Sequence, residues 1–273
     1  MVTFTFTTTA FAEDINGKTN VLIRINGAYL IHSNGTMPYV GLNNRVMVPA
    51  RIITDALGGS LIWDTKQNLL TINTTSLKIV SQLGKKSVEI NGKVVSSDSE
   101  MVMKNGTMMI PFNWIAKGLG VTLNTNSKYK VFSINHSNFF SKGKLELMND
   151  ETGKDYSAEL NVIPLKLSYK DHKNLGLKYL NIEFVNDSDT TYTTGLLQDH
   201  LIAPVNKDNF YNTGSKGELI NDQSTITSIP EIKPNQHYVH EIKIQELSKL
   251  VPDKAQYAFL RYFKKMDIQK NDQ

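Results

Sequence analysis

The sequence predicts an α+β fold: tandem small antiparallel sheets, each wrapped on one short helix, followed by an all-β immunoglobulin-like sandwich. Three observations carry that expectation. The stretch RVMVPARIITDALGGSLIWDTKQNLLTI at residues 45–72 returns in altered form as TMMIPFNWIAKGLGVTLNTNSKYKVFSI at residues 107–134. Within each stretch an apolar strand runs into a proline, then into a helical stripe closed by glycine. In the last 119 residues (155–273) apolar side chains recur with period two, the spacing of strands that bury one face.

Residues 1–12, MVTFTFTTTAFA, end in Ala10-Phe11-Ala12, a small-x-small pattern followed by the polar Glu13-Asp14-Ile15-Asn16-Gly17. This reads as the remnant of a secretory signal peptide cut after Ala12, with Met1 lying inside the signal. A basic leading region is missing, and Phe4 and Phe6 among alternating Thr residues also fit a frayed first strand.

Residues 20–135 form the repeated part, as units 20–75 and 76–135. Aligning Pro49 with Pro111 sets an offset of 62, which places Ala56-Leu57-Gly58 over Gly118-Leu119-Gly120 and Leu70-Thr71-Ile72 over Phe132-Ser133-Ile134. Upstream, Ile25-Asn26-Gly27 matches Ile90-Asn91-Gly92 at an offset of 65. Each unit opens with a hairpin, because Asn-Gly supplies the two left-handed positions of a type I′ turn. Val46-Met47-Val48 is a short apolar strand that stops where Pro49 removes a ladder donor. Proline is favoured at the start of a helix, and Ile52, Ile53, Ala56 and Leu57 then form one helical stripe. Gly58-Gly59 ends it. Leu61-Ile62-Trp63 and Leu69-Leu70-Thr71-Ile72 flank the polar turn Asp64-Thr65-Lys66-Gln67-Asn68, a second hairpin. The later unit repeats the plan with Phe112, Ile115, Ala116 and Leu119 on the helix. Its second hairpin is expected from Val121-Thr122-Leu123 and residues 131–134, around a turn at 124–130.

These residues carry a resemblance. Val48-Pro49-Ala50-Arg51-Ile52-Ile53, Ala56-Leu57-Gly58, Trp63-Asp64 and Leu70-Thr71-Ile72 resemble the copper amine oxidase N-terminal-like, or stalk, domain, with the second copy degenerate: Asn113 stands for the Arg and Thr125-Asn126 for Trp-Asp. The resemblance implies an antiparallel sheet twisted around a helix, in a secreted or cell-envelope protein of Gram-positive bacteria. It does not imply amine oxidation, because in the oxidases this domain lies far from the copper. Nor do the residues: there is no Asn-Tyr-Asp/Glu for a quinone cofactor and no His-x-His for copper.

Composition narrows the function classes. The 273 residues suffice for two domains, with 40% hydrophobic and 21% charged residues and no apolar run near eighteen. Residues 13–135 hold 13 Lys/Arg against 7 Asp/Glu, and residues 136–273 hold 17 against 19. No basic cluster is interleaved with aromatics, so nucleic acid is not an expected partner. The absence of cysteine removes thiolate metal sites, Cys nucleophiles and disulfides together.

Residues 136–154 read as a linker. Residues 155–273 read as the sandwich, with residues 257–263 apolar on both faces, as in a central strand. His237 and His240 fall on opposite faces of a strand and so do not make a metal pair. Asn186-Asp187-Ser188-Asp189 reads as a solvated hairpin turn rather than a calcium loop. The polar loop at 204–228 offers Phe210 and Tyr211 as binding residues. Arg51, on the first helix but off its apolar stripe, is the one residue of the repeat without a folding duty. No catalytic residue, metal ligand or cofactor is expected. The sequence thus points to a non-catalytic secreted or cell-envelope protein, extracellular or wall-associated. A stalk module would present a β-sandwich to a wall polymer, a glycan or another exported protein. The alternative is an exported wall-directed hydrolase with a dispersed site in the C-terminal domain.

Overall fold

The computed structural model describes residues 21–32, 36–149, 156–159, 161–172, 177–193, 197–204, 210–214, 217–221, 231–243 and 257–265, with the backbone alone in parts of the C-terminal strands. The signal-like start, residues 1–12, lies outside the described residues. In the front half the strands are β1 (Leu22–Ile25), β2 (Ala28–His32), β3 (Tyr39–Val40), β4 (Val46–Pro49), β5 (Ser60–Asp64), β6 (Leu69–Asn73) and β7 (Lys78–Gln82). They continue with β8 (Ser87–Ile90), β9 (Lys93–Ser96), β10 (Val102–Lys104), β11 (Thr107–Pro111), β12 (Asn124–Asn126) and β13 (Val131–Ile134). The helices are α1 (Ala50–Ala56) and α2 (Phe112–Leu119). The C-terminal half has β14 (Tyr156–Glu159), β15 (Val162–His172), β16 (Leu177–Asn186), β17 (Tyr192–Thr193) and β18 (Leu197–Pro204). It closes with β19 (Phe210–Gly214), β20 (Gly217–Asn221), β21 (Glu231–Ile232), β22 (His237–Lys243) and β23 (Tyr257–Lys265).

Local chemistry sets these elements as expected. Asn26 and Gly27 take φ of 45° and 82° to turn β1 into β2, and Asn91-Gly92 and Asn105-Gly106 do the same. Pro49 and Pro111 cap α1 and α2 in extended conformation, at φ of −62° and −61°. The Asp64 carboxylate accepts from the amides of Lys66 and Gln67, at 2.8 and 3.1 Å, and so closes the β5–β6 turn. The later hairpin departs from expectation. The amide of Val121 stays bonded to the Ala116 carbonyl at 2.9 Å as part of the cap of α2, so β12 starts only at Asn124.

The two units do not build separate sheets. β4 and β11 pair antiparallel with Val48 opposite Ile110, the positions related by the offset of 62, so a local pseudo-twofold passes between them. β12–β13 of the later unit joins β1–β2 of the first, and β5–β6 of the first joins β8–β9 of the later through β7. One core unites both: Val48, Ile53, Ile72, Ile79, Ile110, Phe112, Ile115 and Ile134 are fully buried together. Each unit covers the other's apolar face, because neither has enough surface to bury its own.

Residues 136–149, expected as linker, are packed structure. Phe139, Phe140, Leu145 and Met148 are fully buried in the front core. The amide of Phe140 donates to the Ala56 carbonyl at 2.7 Å, and the Asn149 side chain donates to the Phe140 carbonyl at 2.8 Å. Asn26 serves this segment too, donating to the His136 carbonyl at 2.9 Å and accepting from its amide at 2.9 Å.

Among the described residues the C-terminal half is all β. β15, β16, β22 and β20 form one sheet, in the order β15-β16-β22-β20. β23 is a central strand as expected, but its neighbours are β18 and β2 of the front half, so one sheet runs β12-β13-β1-β2-β23-β18-β19. Phe259 enters the front core, while Ala258, Leu260 and Tyr262 enter a second core with Tyr29, Ile31, Ile182, Phe184 and Tyr238. The partner of the β15-β16-β22-β20 sheet across that second core is therefore built from both halves of the chain.

Candidate functional site

An open groove of about 420 Å³ lies where α1, β5, the β10–β11 hairpin and the start of β23 converge. Pro49, Ile52, Leu61, Met103 and Met108 give it apolar walls, and Thr36, Thr107 and His32 add polar groups. Arg51 lies two residues after Pro49, in the first turn of α1. It is exposed and supplies the fixed positive charge of this lining. Trp63 reaches the groove from β5 as a half-buried ring. Two residues earlier in the same alternation is Leu61, on the same face.

Tyr257, the first residue of β23, is the C-terminal contribution. Its ring meets His32 at a centroid distance of 6.4 Å and Phe259 edge-on at 6.0 Å. Its phenol interacts electrostatically with the Asp55 carboxylate, one helical turn beyond Arg51. Burial raises the Asp55 carboxyl above its ordinary range, with Arg51, Lys144 and Tyr257 opposing the rise. Burial first, then the Asp55 charge, raises the Tyr257 phenol well beyond its usual value, so it stays a neutral donor at physiological pH.

The residues singled out from sequence separate here. Arg51 lines the groove. Phe210 and Tyr211 do not lie on a long loop: they open β19, opposite Pro204 and Ala203 of β18, at the edge of the large sheet. Their side chains lie outside the described residues. The turn at Asn186–Asp189 does not join a hairpin either, since β16 pairs with β15 and β22 while β17 pairs with β21. The Asp187 carboxylate accepts from Lys128 Nζ at 3.0 Å and Asn126 Nδ2 at 3.2 Å, which ties the β12–β13 turn to the C-terminal half. His237 and His240 do face apart. His237 Nδ1 meets Glu183 at 3.1 Å near the surface, and His240 is buried beside Tyr262. Among the described residues no group of three His, Asp or Glu could hold a metal ion. Trp63, His32 and Tyr257 were not expected in a site. Trp63 had a visible signal, as a large ring on a short two-residue-period strand; Tyr257 had none, because its neighbours come from the far end of the chain.

Fold and groove together define a β-rich module with a groove on its surface. Residues 24–134 match the family model for the copper amine oxidase N-terminal domain. The match is a single span that takes in both repeated units. In the oxidases that domain is the stalk and not the catalytic module. No curated protein matches the chain. Among the described residues no helix is long and apolar enough to cross a membrane.

Proposed function

We propose that this is a non-catalytic protein of the cell envelope or extracellular space, whose stalk-type segment and C-terminal β structure together present the groove to a wall polymer, a glycan or another exported protein. The observation that carries the reading is the meeting of Arg51 and Trp63, from the stalk-type segment, with Tyr257 from β23 in one open trough. Half-buried aromatic rings beside an exposed guanidinium are the surface chemistry of recognition, since they combine apolar contact with directional donors. The signal-like residues 1–12 support an exported location.

Pull-down on purified Gram-positive cell wall over a salt series tests this reading. The protein is expected to be retained at low salt, with release as salt rises, and Arg51→Ala is expected to lose most of the retention without a change in melting temperature. Equal elution of wild type and Arg51→Ala at every salt concentration would reject the groove. Release of soluble wall fragments during the incubation would favour a hydrolase instead.

A further inference from the structure

We propose that the groove takes a linear glycan whose sugar rings carry carboxylates, with one ring lying on Trp63 and its carboxylate on Arg51; this rests on the groove reading above. Four observations point to that chemistry. Among the described residues the lining holds a single permanently charged side chain, Arg51, and no Asp or Glu. Its guanidinium is exposed, and Asp55, one turn along the helix and partly buried, interacts with it electrostatically but does not line the groove. A planar five-donor fork of this kind matches a carboxylate in two parallel hydrogen bonds. Unless a ligand supplies the anion, that capacity is spent on water.

The second observation is the apolar part of the lining. Trp63 is half-buried and shares the lining with Leu61 and Met108, so an aromatic face and aliphatic groups are offered in the same groove. A pyranose ring has one face of C–H groups that suits an indole, and a rim of hydroxyls that does not. The third is that polar groups share the lining: Thr36, Thr107 and His32 all border the same groove. The fourth is size: the groove's volume of about 420 Å³ falls within the about 300–1,000 Å³ of small-ligand clefts. The net charge of the front half has the matching sign, since residues 13–135 hold 13 Lys/Arg against 7 Asp/Glu.

The chain holds two tryptophans, and Trp114 is buried at 2% exposure with its indole nitrogen donating to Ser97 Oγ at 2.9 Å. Ligand-dependent emission therefore reports on Trp63. The test titrates the full chain with oligogalacturonate, with its methyl ester, with neutral chito-oligosaccharide, with polyglutamate and with polyglycerol phosphate. Wild type, Arg51→Gln and Trp63→Phe are compared, after their melting temperatures are shown to agree. Oligogalacturonate is expected to quench emission saturably, and at least tenfold more weakly as its methyl ester or with Arg51→Gln. Trp63→Phe is expected to lose the quench. Equal quenching by the ester and the neutral sugar, unaffected by Arg51→Gln, overturns the carboxylate and leaves a neutral glycan in the groove. Tighter Arg51-dependent binding of polyglutamate or polyglycerol phosphate overturns the glycan in favour of an acidic protein or a phosphate polymer. No quench with any sugar also overturns the proposal. The groove reading then stands if wall retention still depends on Arg51, and falls if it does not.

Discussion

His240 shows how one buried side chain sets a pH limit on the molecule. Burial lowers its pKa from 6.5 to about 4, because the imidazolium would lose its hydration against Tyr262 and the second core. The folded value lies below the unfolded one, so as pH falls the unfolded chain takes up the proton first. Stability from this residue is present above about 6.5 and is lost as pH falls toward about 4, by an amount on the order of 3 kcal/mol. Urea unfolding at a series of pH values is expected to show that loss, and His240→Leu is expected to flatten the profile across the same window. Asp55 has the opposite sign. Its folded pKa is raised, so the native state holds its proton longer, and stability falls as pH rises from its ordinary 3.8 through the raised value. Asp55→Asn is nearly the same size and carries no charge. Its unfolding free energy is expected to stay level where that of the wild type declines.

At the scale of elements, α1 and α2 show how one plan is adjusted to two environments. Ala56 of α1 is matched, at the offset of 62, by Gly118 of α2. A Cβ at Gly118 would collide with the Leu77 side chain and come within 3.0 Å of Ile90, both on the β7–β8 side of the core. The helix can therefore approach that sheet only through a residue without a side chain. Gly118→Ala gains about 1 kcal/mol in helix propensity and meets an overpacking cost of about 1–3 kcal/mol. The variant is expected to be destabilised by up to about 2 kcal/mol, read as a lower denaturant midpoint at unchanged slope. The insertion of β7 is the other asymmetry. β13 meets β1 directly and in parallel, whereas β6 reaches β8 only across β7, so the pseudo-twofold that relates β4 to β11 does not extend to the sheet edges.

At the scale of the whole molecule, β23 holds the two halves together. It pairs with β2 from Tyr29 opposite Leu260 to His32 opposite Tyr257, and its side chains alternate between the two cores. Arg261, buried at 6% exposure, donates to the Asn26 carbonyl at the β1–β2 turn. A chain ending after residue 149 would leave the β2 edge unpaired and expose Tyr29 and Ile31, a hydrophobic strand open to pairing with another copy. That fragment is expected to self-associate in sedimentation velocity and to melt below the full chain. A monomeric fragment with the full melting temperature would show that the shared sheet contributes little.

The sequence by itself determined the local structure of the front half. Asn-Gly turns, the Pro49 and Pro111 helix starts, the Asp64 turn and the alternation of β22 and β23 were all legible, because each depends on residues a few positions apart. It also marked Arg51, by the absence of any folding duty. Only the tertiary structure decided which strands pair, since apolar alternation says that a face is buried but not against what. That is why the two units exchange hairpins, why residues 136–149 are core, why the expected loop at 204–228 contains β19 and β20, and why one sheet crosses between the halves. The groove followed from the same cause. Arg51 and Trp63 are near neighbours in sequence, but Tyr257 joins them only because β2 needed a partner strand and β23 buries both its faces.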